Sequence, residues 1–172
     1  AAWNTANTMV TQNNVGPIWG LAYSKKAKQL FGAAFTKRHA GYGPAGFAGI
    51  YKIDYSGATP TKSVFVKLDT MVGINMGTAP LRAVSTLSTD PSLDYDVYSQ
   101  VGKVGLGDID ISDDDQFLYI INLSEKKLHR LSASNPNSSN LTSWAIPDPG
   151  CSNGEFRPFA CKYYRGKIYI GV

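Results

Sequence analysis

Two cysteines, two histidines and the lack of any long apolar run bound what these 172 residues can be. Nothing approaches the roughly 20 consecutive apolar residues that a membrane-spanning helix needs. The longest strong run, Phe117–Leu123, has the length of a strand. No leader-like segment is present, and the chain opens AAWNTANTMV without Met. A secreted protein after leader removal reads this way, and so does an excised piece of a longer chain. Charge of one sign is scarce as well, since 17 basic against 13 acidic residues leave a formal +4. The basic groups at 25–28, 37–38 and 126–130 sit at expected turns and do not interleave with aromatics, which argues against nucleic acid as a partner. GxSxG, HExxH and paired CxxC motifs are missing, and with them the serine-hydrolase elbow, the zincin helix and the zinc knuckle.

What is present points to an all-β protein. Seventeen glycines and ten tyrosines accompany many Ser, Thr and Asn residues, a composition of strands and turns. One pattern occurs three times: LAYSKKAKQL from Leu21, IDISDDDQFL from Ile109 and FACKYYRGKI from Phe159. Each has alternating apolar residues, a turn, then Leu30, Leu118 or Ile168 followed by an aromatic. Aligned without gaps, Tyr23, Ile111 and Cys161 occupy one apolar slot that should face a sheet interface. Four strands follow from the first copy and four from the second, with two from the third. A repeated four-stranded antiparallel unit of roughly 40–50 residues is a β-propeller blade. The expected organisation is a blade at about 20–69, an insertion at 70–106, a blade at about 107–148 and a partial blade at about 157–172. Residues 1–14 are polar, with Trp3, Met9 and Val10 as anchors for an outer strand or a terminal extension. Two blades and half of a third cannot close a ring of typically about 4–8. The remaining blades of a longer chain are therefore the first expected partner.

The segment LGDIDISDDDQFLYIINLSEKKLHRL from Leu106, with RPFACKYYRGKIYIGV from Arg157, resembles the blade core of bacterial cell-surface or secreted propellers of the YVTN-like, quinoprotein-like kind. The match covers about half of the chain and departs from the pattern at Asp115, where Gly is usual, and at Cys161. The resemblance implies a secreted or cell-surface location and no single activity.

Candidate sites are few. Asp90, Asp94 and Asp96 in the insertion, and Asp108 at the channel end of a first strand, offer hard oxygen ligands for Ca²⁺; otherwise no cofactor is expected. Asp108 and Asp110 also suit capping of backbone groups. Asp113–Asp115 reads as an Asx turn, because Gln116 and Phe117 break the order of a calcium loop. Trp19, Tyr42 and Phe47, together with Tyr95 and Tyr98 in the insertion, are candidates for stacking on a glycan or a protein. His39 and His129 lie in different blades, and His129 is expected half-exposed. Cys151 and Cys161 either form a bridge, worth roughly 2–3 kcal/mol, or stay as one loop thiol and one buried thiol. The expectation is a non-enzymatic extracellular binding or structural module, whose partner is a surface or secretion-system protein or a glycan. The alternative is a propeller hydrolase or lactonase with a divalent cation in its channel. Asp108 would contribute to that site, with Asn153 and Glu155 at the matching entrance of the third blade.

Overall fold

The computed structural model describes residues 10–83, 87, 90 and 93–172; Trp3 and Met9 lie outside them. Alternating apolar residues broken by short turns give three antiparallel sheets. The first holds β1 (Ile18–Ser24), β2 (Gln29–Ala34), β3 (Gly49–Asp54) and β4 (Thr61–Lys67), hydrogen-bonded in chain order. The second holds β5 (Leu106–Ile111), β6 (Phe117–Asn122), β7 (Lys127–Ser132) and β8 (Thr142–Ala145), again in chain order. The third is the hairpin β9 (Ala160–Tyr164) and β10 (Lys167–Gly171). Among the described residues helix is confined to one turn, α1 (Gln12–Val15), and short 3₁₀ turns. The all-β expectation and the strand order within each sheet therefore hold. The described residues form no closed ring.

The hairpin turns correct the gapless alignment. Ser24 pairs with Gln29, and the Ser112 N–H bonds to the Phe117 carbonyl, so each of these turns spans four residues. In the third hairpin Tyr164 pairs directly with Lys167, leaving a two-residue turn. Arg165 and Gly166 both have positive φ there, at 48° and 77°, as a type I′ hairpin requires. The register partners of Leu30, Leu118 and Ile168 are Tyr23, Ile111 and Tyr163. Leu21, Ile109 and Cys161 are therefore equivalent, and Phe159 lies two residues earlier, just ahead of β9. The offset escapes the sequence because strand side chains alternate with period two.

Successive sheets pack with their first strands side by side, β1 beside β5 and β5 beside β9. Glycine permits the first approach: a Cβ on Gly20 would lie 2.5 Å from the Ile109 nitrogen. One on Gly107 would lie 2.7 Å from the Phe159 oxygen. Pairing is irregular at both places, between Ile18 and Leu21 and between Leu106 and Ile109, so a bulge recurs in the repeat. Phe31, Ile50, Leu118, Ile120 and Leu131 fill the first interface. Ile121, Leu123 and Cys161 fill the second. Each fully buried aliphatic or aromatic side chain contributes roughly 1.5–3 kcal/mol. Tyr23 does not lie in an interface as expected. Ala22 is buried against the second sheet, while Leu21 and Tyr23 face away from it and are exposed. The insertion has no strand among its described residues and is held by buried Met71, Met76 and Val97.

Candidate functional site

Where β1, β5 and β9 run together, their turn-side ends form a polar cleft of about 390 Å³. Leu21, Tyr23 and Lys25 line it from the first sheet, Asp110 to Asp113 and Asp115 from the second, and Lys162 and Tyr163 from the third. Alternation along β5 turns Asp108 and Asp110 toward β9. Asp108 accepts from the Ile109 N–H with one oxygen (3.0 Å) and from the Cys161 N–H with the other (3.2 Å). Asp110 repeats this with the N–H groups of Ile111 (2.9 Å) and Tyr163 (2.7 Å). Each carboxylate thus bridges two adjacent first strands, satisfying edge N–H groups that no strand pairs. Burial pushes the Asp108 carboxyl upward, against the two N–H donors that pull it down. Lys162 Nζ reaches Asp110 at 2.8 Å. Both oxygens of Asp108, the candidate cation ligand, are engaged by the backbone.

The Asp-rich turn joins the first two sheets. Asp115, at φ 63°, accepts from Ser24 Oγ (2.9 Å) and the Lys26 N–H (2.7 Å). Asp114 caps its own turn through Ser112 Oγ and the Gln116 N–H. These bonds lower the Asp114 carboxyl, the one from Ser112 most.

The three insertion aspartates do not converge. Asp94 holds Arg82 through two bonds, Nη1–Oδ1 at 2.6 Å and Nη2–Oδ2 at 2.5 Å, with both side chains buried. It also accepts from the His39 N–H at 2.6 Å, which ties the insertion to the loop between β2 and β3. The guanidinium bonds hold the Asp94 carboxyl at about 2, although burial opposes them. Asp90 and Asp96 are exposed. Among the described residues no three His, Cys, Asp or Glu side chains group as a metal site.

The aromatic candidates also separate. Trp19 lies against Phe35 and Phe159, linking the first sheet to the approach to β9. Tyr42 and Phe47 meet each other at 6.1 Å within their loop, and burial raises the Tyr42 hydroxyl. Tyr95 and Tyr98 stand exposed, with Arg38 over the Tyr98 ring. Cys151 is exposed and Cys161 buried; the two are not joined. Glu155 pairs with Lys126 and Arg157.

His129 is buried, where a half-exposed position was expected. Its Nδ1 lies 2.7 Å from Ser143 Oγ and its Nε2 3.1 Å from Asn122 Nδ2. The Asn122 carbonyl oxygen accepts from the Ser124 and Glu125 N–H groups, so its amide nitrogen faces the ring. Nε2 is then the acceptor, and Nδ1–H donates to Ser143. In that tautomer the imidazole cannot take a proton from the serine, so the pair is structural. Sequence reasoning missed this cluster because Asn122, His129 and Ser143 meet only through strand register.

No family model and no solved structure matches the chain. It is similar to three proteins of Dictyostelium discoideum. Colossin-A is 31% identical over 163 residues, covering 91% of this chain and 1% of that protein. Colossin-D is 29% identical over 175 residues (97% and 17%), and Colossin-C 25% identical over 167 residues (95% and 16%). The chain thus spans a small part of each curated relative. These relatives are eukaryotic, which overturns the resemblance to bacterial cell-surface or secreted proteins. The quoted motifs describe two β-hairpins, one closed by an Asx turn and one by a two-residue turn, and a hairpin of either kind carries no mark of lineage.

Proposed function

We propose that the chain is part of a non-enzymatic extracellular binding or structural module, and that its three sheets are consecutive β-propeller blades. The arrangement that carries this reading is the row β1, β5, β9, with each sheet packed face to face on the next in chain order. In a propeller the first strands of successive blades line the channel, and the polar cleft lies on that side. The remaining blades of a longer polypeptide complete the ring. A glycan or another protein is the ligand expected at the cleft and at the exposed Tyr95 and Tyr98. The cation-dependent hydrolase is disfavoured, because both oxygens of Asp108 accept from backbone N–H groups.

Export is tested by glycosylation. Asn137-Ser138-Ser139 and Asn140-Leu141-Thr142 are acceptor sequons, on the 3₁₀ turn Ser138–Asn140. Asn122-Leu123-Ser124 is a third, with Asn122 buried. Protein isolated from its natural source should lose mass at Asn137 or Asn140 on treatment with an N-glycosidase, and none at Asn122. Unmodified peptides at all three, from a protein recovered inside the cell, would end the extracellular reading.

A further inference from the structure

We infer that the open edge of β1 docks the first strand of a further sheet of the same polypeptide, and that this strand carries an Asp-x-Asp pair. The inference deepens the proposed ring of blades and rests on it. In the third sheet Cys161 pairs with Ile170 and Tyr163 with Ile168, and the N–H groups of Cys161 and Tyr163 point away from β10 to Asp108 and Asp110. Leu21 and Tyr23 hold the same register places in β1, opposite Gly32 and Leu30. Their N–H groups point outward in the same way.

What satisfies such a donor depends on the residue before it. Ile109 and Ile111 follow Asp108 and Asp110, and each is capped by its own predecessor. The sheet ahead of them therefore needs no carboxylate, and it offers only Gly20 and Ala22 there. Cys161 and Tyr163 follow Ala160 and Lys162, which cannot accept, and both are capped from the preceding sheet. Leu21 and Tyr23 follow Gly20 and Ala22. They are in the position of β9, so the caps must come from a sheet ahead of β1. Side chains on the same face agree. Among the described residues Leu21, Leu30 and Gly32 line an open apolar groove of about 240 Å³, whereas their equivalents Ile109, Leu118 and Ile120 are buried.

A second copy of this chain does not fit as occupant. Its free face is that of the third sheet, whose bridging positions are Ala160 and Lys162, and neither accepts a hydrogen bond.

The test is amide exchange at Leu21 and Tyr23, in the 172-residue chain and in the full-length natural protein. Both amides should exchange close to the unprotected rate in the first and at least about 100-fold more slowly in the second. That protection should weaken as carboxylates are protonated. Cys161 and Tyr163 should be protected in both, and of these two Asp110→Asn should weaken Tyr163 and leave Cys161 protected. If the groove becomes covered in the full-length protein, with Trp19 fluorescence shifted, while Leu21 and Tyr23 still exchange fast, the carboxylate pair is refuted and the ring survives. If the groove stays open there, the ring of blades falls as well. Protection that rises with concentration in the 172-residue chain would overturn the inference in favour of self-association.

Discussion

Arg82 and Asp94 show how a residue can look like a ligand and serve as a fastener. Three aspartates within seven positions suggested a cation, but the decisive partner lies twelve residues earlier, and no strand periodicity connects the two. Removing one member of a buried ion pair strands the other charge, at a cost of about 3–5 kcal/mol. Arg82→Ala should therefore lower the urea midpoint and loosen the insertion, which limited proteolysis near Leu93 would detect. Asp94 also sets an acid limit. Its carboxyl falls from 3.8 to about 2 on folding, so the unfolded chain binds the proton more readily. The stabilisation is complete above the unfolded value and drains away between roughly pH 4 and 2. Chemical denaturation through that range should show a slope that Asp94→Asn removes. His129 gives a second acid response at higher pH. Burial pushes its ring below 6.5, against the pull of Glu125. Stability should then decline as pH falls below 6.5 toward the folded value, and NMR titration of the ring should place its midpoint below 6.5. A midpoint above 6.5 would mean that the Glu125 charge outweighs desolvation.

At the level of strands, the contacts between sheets depend on very small residues and on carboxylates. Gly20 lets β1 reach the backbone of β5, and a methyl group there has no room, with Ile109 N at 2.5 Å and the Asp108 Cα at 2.9 Å. The obstacle is backbone on both sides, so the sheets must part. Gly20→Ala should destabilise by about 1–3 kcal/mol, the usual cost of overpacking. Gly57→Ala, whose nearest neighbour would be 3.7 Å away, should stay within about 0.5 kcal/mol. Equal melting temperatures for the two variants would contradict the close approach of β1 and β5. The repeated bulge, the four-residue turns and the two-residue turn are likewise matters of element geometry. The sequence marks the two-residue turn by Arg165-Gly166 and one four-residue turn by its aspartates, but not the bulge.

Across the whole molecule, sheets stacked in a row share faces only with neighbours, so stability varies along the row. The second sheet is covered on both sides, and the third is a hairpin covered on one. Exchange protection should be greatest in β6 and β7 and markedly lower in β10, whose outer positions Lys167, Tyr169 and Gly171 are exposed. A hairpin β9–β10 as protected as β6 would show that some other contact covers it. Cys161 reports on the same joint. It is buried between the second and third sheets, with its thiol pushed up mainly by burial. A thiol reagent should modify Cys151 at once and Cys161 only as the third sheet opens.

The strands themselves were set locally, which is why sequence alone placed nearly all of them. Alternating apolar residues make a strand by period two, and Ser-Gly, Asp-rich or Arg-Gly stretches make the chain turn. Short turns force β1–β2, β5–β6, β6–β7 and β9–β10 to pair, while β2 reaches β3 across a longer loop, and β7 reaches β8 in the same way. Which face of β1 is covered did not follow, because Ala22 and Leu21 are both apolar and only the neighbouring sheet distinguishes them. The two-residue offset of the third copy was invisible for the same reason of period. The roles of Asp94, Asp108 and His129 were decided by partners remote in sequence: Arg82 from another part of the insertion, the backbone of β9, and Asn122 with Ser143. A carboxylate's chemistry is a property of its residue type, but whether it meets a cation, a guanidinium or an N–H depends on what tertiary packing brings within about 3 Å.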